Sequence, residues 1–225
     1  FKDLLYRKWI SRQSFNFSTE LYDSFKRYLK PSFHSLDDGR NFKYTKKQLE
    51  LSTSKEGEKK IKGIVGAGKT LVLVKRAVNA HKRTDKKVLI LTYNISLKNY
   101  IHDKISSVRE DFYWENFHIL NYHDFFNSMM NNLGIEFDIP EDFDSWENWQ
   151  KEQFFNEKYY GNFELFKDHQ DKIEKYNAIL IDEVQDYRTI WLRIIKKYFL
   201  ADIGEFVVFG DSKQDIYNRV SLVNN

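Results

Sequence analysis

The chain contains no cysteine and only 2 prolines, at positions 31 and 140. Without cysteine it has no disulfide frame, no thiolate metal site, no CxxCH haem attachment and no thiol nucleophile. No apolar run approaches the roughly 20 residues that a membrane span requires, and no signal-peptide pattern opens the chain. Internal repeats and Gly/Ser-rich or Pro-rich linkers are also missing. Charge of one sign is not in excess: 36 Lys and Arg stand against 33 Asp and Glu, a net of +3. These absences leave a cytoplasmic soluble domain, with no membrane partner, as the expectation. Because the first residue is Phe1 rather than Met, an excised piece of a longer chain is expected.

What is present suits one large domain, or one domain with an insertion, in 225 residues. Hydrophobic residues make up 41% and aromatics 17%, enough to build a sizeable core and far from the composition of disordered chains. The charge is unevenly spread. From Glu136 to Lys175 there are 12 acidic and 5 basic residues, a local −7, so the remainder carries +10. A basic body with an acidic insert is compatible with a phosphate-binding face, and equally with solvated helix faces.

Residues 1–41 read as a helical segment, with Ser18 a candidate cap and Pro31 a stop. From residue 42 to 225 the texture becomes an alternation of strands and helices. Strands are predicted at Lys60–Val65, Lys87–Tyr93, Phe117–Tyr122, Ala178–Asp182 and Glu205–Gly210. Helices are predicted at Lys69–Arg83, Ser96–Ser106, His123–Asn132 and Arg188–Phe199. Runs such as Val88-Leu89-Ile90-Leu91 and Phe206-Val207-Val208-Phe209 are apolar on both faces, as in parallel strands buried between helix layers. A helical insertion, about 126–176, interrupts the alternation. The predicted fold class is α/β, a doubly wound parallel sheet.

Gly63-Ile64-Val65-Gly66-Ala67-Gly68-Lys69-Thr70 fits G-x-x-x-x-G-K-[ST] between a predicted strand and helix. Glycines such as Gly63, Gly66 and Gly68 let backbone N–H groups turn around phosphate oxygens, and the helix N-terminus adds partial positive charge. Lys69 is placed to reach the β- and γ-phosphates, and the Thr70 hydroxyl to ligate Mg²⁺. Ala178-Ile179-Leu180-Ile181 runs into Asp182-Glu183-Val184-Gln185-Asp186. A carboxylate at the end of a parallel strand can hold Mg²⁺ through water, and a second beside it can polarise an attacking water. The same acidic pair would also suit an ordinary helix N-terminus.

The string Asp182-Glu183-Val184-Gln185-Asp186 closely resembles the DExQD form of the Walker B motif in superfamily 1A helicases, the UvrD/Rep/PcrA group. Gly210-Asp211-Ser212-Lys213-Gln214-Asp215-Ile216-Tyr217 is similar to that family's G-D-x-x-Q-x-I-Y motif. The resemblance implies the first RecA-like, ATP-binding motor domain, with ATP and Mg²⁺ as cofactors and single-stranded DNA as partner. It implies that Gln214 senses the γ-phosphate and that Gln48, upstream of the phosphate loop, reads adenine; a surface helix glutamine is the plain alternative for Gln48. Tyr93-Asn94 and Tyr122-His123 stand where the family has single-strand contacts. Tyr93, Tyr122 and Tyr217 would then stack on bases, and Asn94 and His123 would bind phosphates or sugars. For each tyrosine, burial in the core is the competing expectation.

The chain also departs from the family. After Ile216-Tyr217 comes Asn218-Arg219 rather than a tryptophan and an arginine, and the insertion is short and acidic. The sequence ends at Asn225, so a second RecA-like domain, which in the family closes its arginines on the γ-phosphate, is expected outside it. Two other readings stay open: a nucleotide-dependent switch that binds nucleic acid or protein without translocating, and an RNA-directed helicase.

Overall fold

The computed structural model of the protein describes residues 43–93, 95–106 and 113–211. The helical expectation for residues 1–41 lies outside them. Five strands form one sheet: β1 (Gly57–Gly63), β2 (Val88–Thr92), β3 (Phe117–Asn121), β4 (Tyr176–Ile181) and β5 (Leu200–Asp211). Their order is β1-β5-β4-β2-β3 and every pairing is parallel. The α/β parallel sheet expected from the doubly apolar runs is therefore the observed architecture.

The period-2 geometry of a strand sends alternate side chains to opposite faces. Leu89, Leu91, Ile179, Ile181, Phe206 and Val208 enter one core, while Val88, Ile90, Ala178, Leu180, Val207 and Phe209 enter the other. The second core is covered by α2 (Lys69–Thr84) and α3 (Ile95–Ser106), the first by α4 (Tyr122–Leu133) and α6 (Thr189–Ile194). A short helix, α1 (Lys46–Ser52), precedes β1 and packs beside α2. Its Thr45 cap is a reciprocal capping box with Gln48. The chain continues from α6 as a wider π turn, Ile195–Phe199.

Between α4 and β4 the chain runs through a 3₁₀ turn at Phe143–Ser145, helix α5 (Asn148–Phe155), a π turn at Asn156–Tyr160 and a 3₁₀ stretch at Lys167–Lys172. Phe137, Phe155, Tyr159, Phe163 and Phe166 attach this segment to the α4 and α6 core. Its carboxylates stay in water, which explains an acidic stretch with an aromatic interior. No helix among the described residues is long and apolar enough to cross a membrane.

Candidate nucleotide site

The phosphate-loop sequence folds as a turn between β1 and α2. Ala67 N–H donates to the Ile64 carbonyl at 3.1 Å, and Gly66 and Gly68 both have φ near 80°. That left-handed conformation is cheap only for glycine. Gly68 caps α2, whose first internal bond runs from Val72 N–H to the Gly68 carbonyl at 3.1 Å. The Lys69 ammonium donates to the Gly63 carbonyl at 3.1 Å, so the lysine lies folded across the loop that it follows. Gln48 reaches the same loop from α1: its Nε2 donates to the Ala67 carbonyl at 3.1 Å. A Cβ at Gly68 would stand 2.6 Å from that nitrogen, so any larger residue there would push the Gln48 amide off the loop.

Asp182 and Glu183 follow β4 directly. Asp182 is 1% exposed, and its N–H donates to the Leu91 carbonyl at 2.9 Å. One carboxylate oxygen accepts from Glu183 N–H at 3.0 Å, while the other, Oδ2, is buried with no hydrogen-bond partner. Burial, then the charge of Glu183, pushes the carboxyl up to about 6, and nearby Lys69 and Thr70 pull it down. An orphaned, desolvated carboxylate oxygen near a threonine hydroxyl fits a divalent cation, whose charge would reverse the cause of that shift. Among the described residues no group of three or more His, Asp or Glu could hold a metal. The donor set therefore suits Mg²⁺ held by one carboxylate, one hydroxyl and phosphate or water oxygens rather than an all-protein cage.

Glu183 has φ 47° and ψ 51°, one of two described non-glycine residues with positive φ. Holding a non-glycine residue there costs free energy, and such strain gathers at functional sites. Its side chain accepts from Gln185 Nε2 at 2.5 Å, and Gln185 Oε1 accepts from Asp211 N–H at 3.4 Å. Gln185, which sequence reasoning quoted in the motif but assigned no task, thus links the carboxylate after β4 to the end of β5. Because β5 lies between β1 and β4, the phosphate loop, Asp211 and the acidic pair stand at the carboxyl ends of three neighbouring strands. In open parallel sheets ligands bind at that end.

A family model described as an AAA domain matches residues 51–219. The chain belongs to that family. It is a P-loop NTPase domain built on a RecA-like α/β sheet. No curated protein matches it.

Elsewhere on this AAA domain, the aromatic residues after β2 and β3 separate into two kinds. Tyr93 is 49% exposed at the end of β2 and meets the Tyr187 ring edge-on at 6.1 Å. Tyr122 is 1% exposed: its ring stacks on Trp191 at 4.3 Å and its hydroxyl donates to the Tyr160 carbonyl at 2.8 Å. The base-stacking expectation for Tyr122 is therefore corrected, since its ring face is already covered by indole. His123 is exposed, with its ring against Tyr160 at 4.7 Å and Trp191 at 5.2 Å. Partial desolvation pulls the imidazole below its ordinary value, opposed by the charge of Asp124 and aided by Arg188. The sequence reading missed Trp191. Nothing local ties a tryptophan on α6 to a ring at the start of α4, because the two meet only in the folded core. Asn94, Gln214 and Tyr217 lie outside the described residues.

Proposed function

We propose that this domain is the ATP-binding motor of a UvrD/Rep-like DNA helicase or single-strand translocase, coupling ATP hydrolysis to movement along nucleic acid. The observation that carries the reading is the buried carboxylate oxygen Oδ2 of Asp182, which makes no hydrogen bond and lies near the Lys69 ammonium and the Thr70 hydroxyl. The helicase part rests on the DExQD-type and G-D-x-x-Q-x-I-Y-type motifs. In this scheme Gly63, Gly66, Ala67 and Gly68 form the loop around the phosphates, and Lys69 leaves the Gly63 carbonyl to neutralise the β- and γ-oxygens. Thr70 and Asp182 would hold Mg²⁺, which when bound would offset charge on the phosphate oxygens. Glu183 takes the proton of the attacking water, and Gln48 pairs with adenine. Gln214 senses the γ-phosphate, while Tyr93, Asn94, His123 and Tyr217 face a single strand. A second RecA-like domain is the expected partner, because arginines supplied from outside the phosphate loop are worth roughly 10³–10⁵ in turnover in related NTPases.

The test is Mg-ATP binding and turnover by the 225-residue chain, with and without single-stranded DNA, beside Glu183→Gln. Expected are Mg-ATP binding, feeble turnover, measurable affinity for the strand, and a variant that binds ATP but hydrolyses none. Robust DNA-stimulated turnover lost in the variant would mean that the chain completes its own site. ATP binding without strand affinity in any nucleotide state would favour a nucleotide-dependent protein switch.

A further inference from the structure

The helix that carries Gln48 has little apolar packing to hold it. α1 is 7 residues long, its only buried side chain is Ser52, Leu49 is half exposed and Leu51 is partly packed. A helix so short does not persist by its own propensity. Polar contacts hold it at both ends instead. At its start Gln48 bonds the Ala67 carbonyl. At its end two side chains of α2 take the last-turn carbonyls: Arg76 Nη1 donates to Leu51 O at 2.6 Å, and Asn79 Nδ2 donates to Ser52 O at 2.9 Å. These are acceptors that a helix end leaves unpaired, and a guanidinium is a favoured partner for them.

Arg76 occupies that place only because Glu205 of β5 compensates its charge. Their side chains are 1% and 0% exposed, with Nε and Oε1 2.5 Å apart. The other carboxylate oxygen accepts from Ser54 Oγ, in the loop after α1, and from Arg83 Nη2 at 3.2 Å. A buried ion pair is a poor way to gain stability over apolar packing, but it fixes geometry strictly, since moving either partner strands a charge. Here the geometry fixed is that of α1 against the helix that follows the phosphate loop.

Gln48 shows why its position matters. Its Oε1 accepts from Thr45 N–H at 2.9 Å and its Nε2 donates to Ala67 O at 3.1 Å. A carboxamide has two acceptor sites and two N–H bonds, so one of each remains after these contacts. One acceptor and one donor complement the N6–H and N7 edge of adenine, whereas guanine presents two acceptors there. We propose that the Arg76–Glu205 pair, with Asn79, is a positioning device for nucleobase selection. It holds α1 in register with the phosphate loop so that the remaining donor and acceptor of Gln48 select adenine over guanine. The inference rests on the ATP reading above and names what sets its selectivity.

The test is calorimetric binding of Mg-ATP, Mg-GTP and Mg-tripolyphosphate to the 225-residue chain. Wild type is expected to prefer ATP. The paired variant Arg76→Met with Glu205→Gln leaves no buried charge unpaired, since Arg83 is partly exposed and keeps Glu56 at 3.4 Å. It should lower the ATP-over-GTP preference about tenfold while tripolyphosphate affinity stays within about twofold. Asn79→Ala should act in the same direction, by about threefold. Adding Gln48→Ala to the paired variant should cost no further selectivity, as expected of residues acting through one another. A folded paired variant that keeps the preference, or that loses tripolyphosphate affinity in proportion, overturns the proposal. If the paired variant does not fold, Asn79→Ala decides, and an unchanged preference there overturns it. Wild type binding ATP and GTP equally strikes this inference alone, whereas wild type binding no ATP strikes the nucleotide reading itself.

Discussion

The two faces of the sheet are built from different materials. On the face of α2 and α3 the core is Val, Ile, Leu and Ala, with Phe117 and Phe209 the only phenyl rings buried in it among the described residues. On the face of α4 and α6 rings dominate: Tyr122, Phe125, Phe126, Phe166, Trp191, Tyr198 and Phe199 interlock, several of them edge to face. Small and β-branched side chains bring α2 close to the strands, with Ala77 and Ala80 wholly buried, and so seat the phosphate loop on a tightly packed base. The aromatic face has a different task, which is to attach some forty residues of acidic insertion to the sheet. Large rings do that with few positions, since each buries much area and carries a preferred geometry. The cost is that a ring expected to meet a ligand, Tyr122, is enclosed with the rest.

That contrast can be broken by truncation on either side. Trp191→Ala, which removes the partner of Tyr122 and a neighbour of Tyr187, should cost about 3–5 kcal/mol in urea unfolding. Val78→Ala on the aliphatic face should cost about 1–3 kcal/mol by the same measurement. Equal losses would mean that the two cores are energetically alike. Lys69→Ala should leave stability intact yet weaken Mg-ATP binding on the order of 100-fold, close to 3 kcal/mol, by calorimetry. Unchanged affinity would sink the phosphate-loop assignment.

Asp182→Asn sharpens the comparison further, because it touches a residue whose burial is unfavourable to its charge. The folded carboxyl is pushed up to about 6, above its unfolded value, so the ionised form is penalised in the native state. The penalty is absent below the ordinary carboxylate pKa, grows between there and about 6, and is fully present above 6. Without Mg²⁺ the variant should therefore melt higher than wild type at pH 8, by up to about 2–3 kcal/mol, and the gain should shrink towards pH 4.5. A variant less stable than wild type at pH 8 would contradict the desolvation account. The smallest effects separate the two tyrosines. Tyr93→Ala should weaken single-strand binding by about 1–3 kcal/mol. Tyr122→Phe should leave strand affinity unchanged and lower stability by about 1 kcal/mol through the orphaned Tyr160 carbonyl.

The sequence made the strands legible wherever both faces are covered. Residues 88–91 and 206–209 are continuous apolar runs, too short for a helix and buried on both faces of the sheet. Ends were less legible where burial fades. β5 begins at Leu200 rather than Glu205, through Asp202 and Ile203, which are exposed and give no core-facing pattern. β1 begins at Gly57 rather than Lys60, since its first half is exposed and so tolerates Glu58 and Lys59, which face opposite sides of the sheet. The phosphate loop and the acidic pair could be read because their chemistry is local to a few residues. What could not be read depends on partners distant in the chain: Arg76 and Glu205 stand 129 positions apart, and Trp191 covers Tyr122 from another element. Nothing local tells a tyrosine that opens a helix whether its ring will meet solvent or indole.

The pairing of β1 with β5 alone has a consequence for how the chain acquires its structure. Gly57 lies opposite Glu205, about 150 residues later, and among the described residues β1 has no other strand neighbour. Closing a loop of that length is slow, and contacts so far apart in sequence form late in folding. During synthesis the segment bearing the phosphate loop emerges early but has no ladder to join until β5 has left the ribosome. Its lysines, at 59, 60 and 62, keep that waiting strand charged, which discourages pairing with other nascent chains. Refolding followed by hydrogen exchange should accordingly protect β2, β3 and β4 before β1, and binding of nucleotide should be the last property to return.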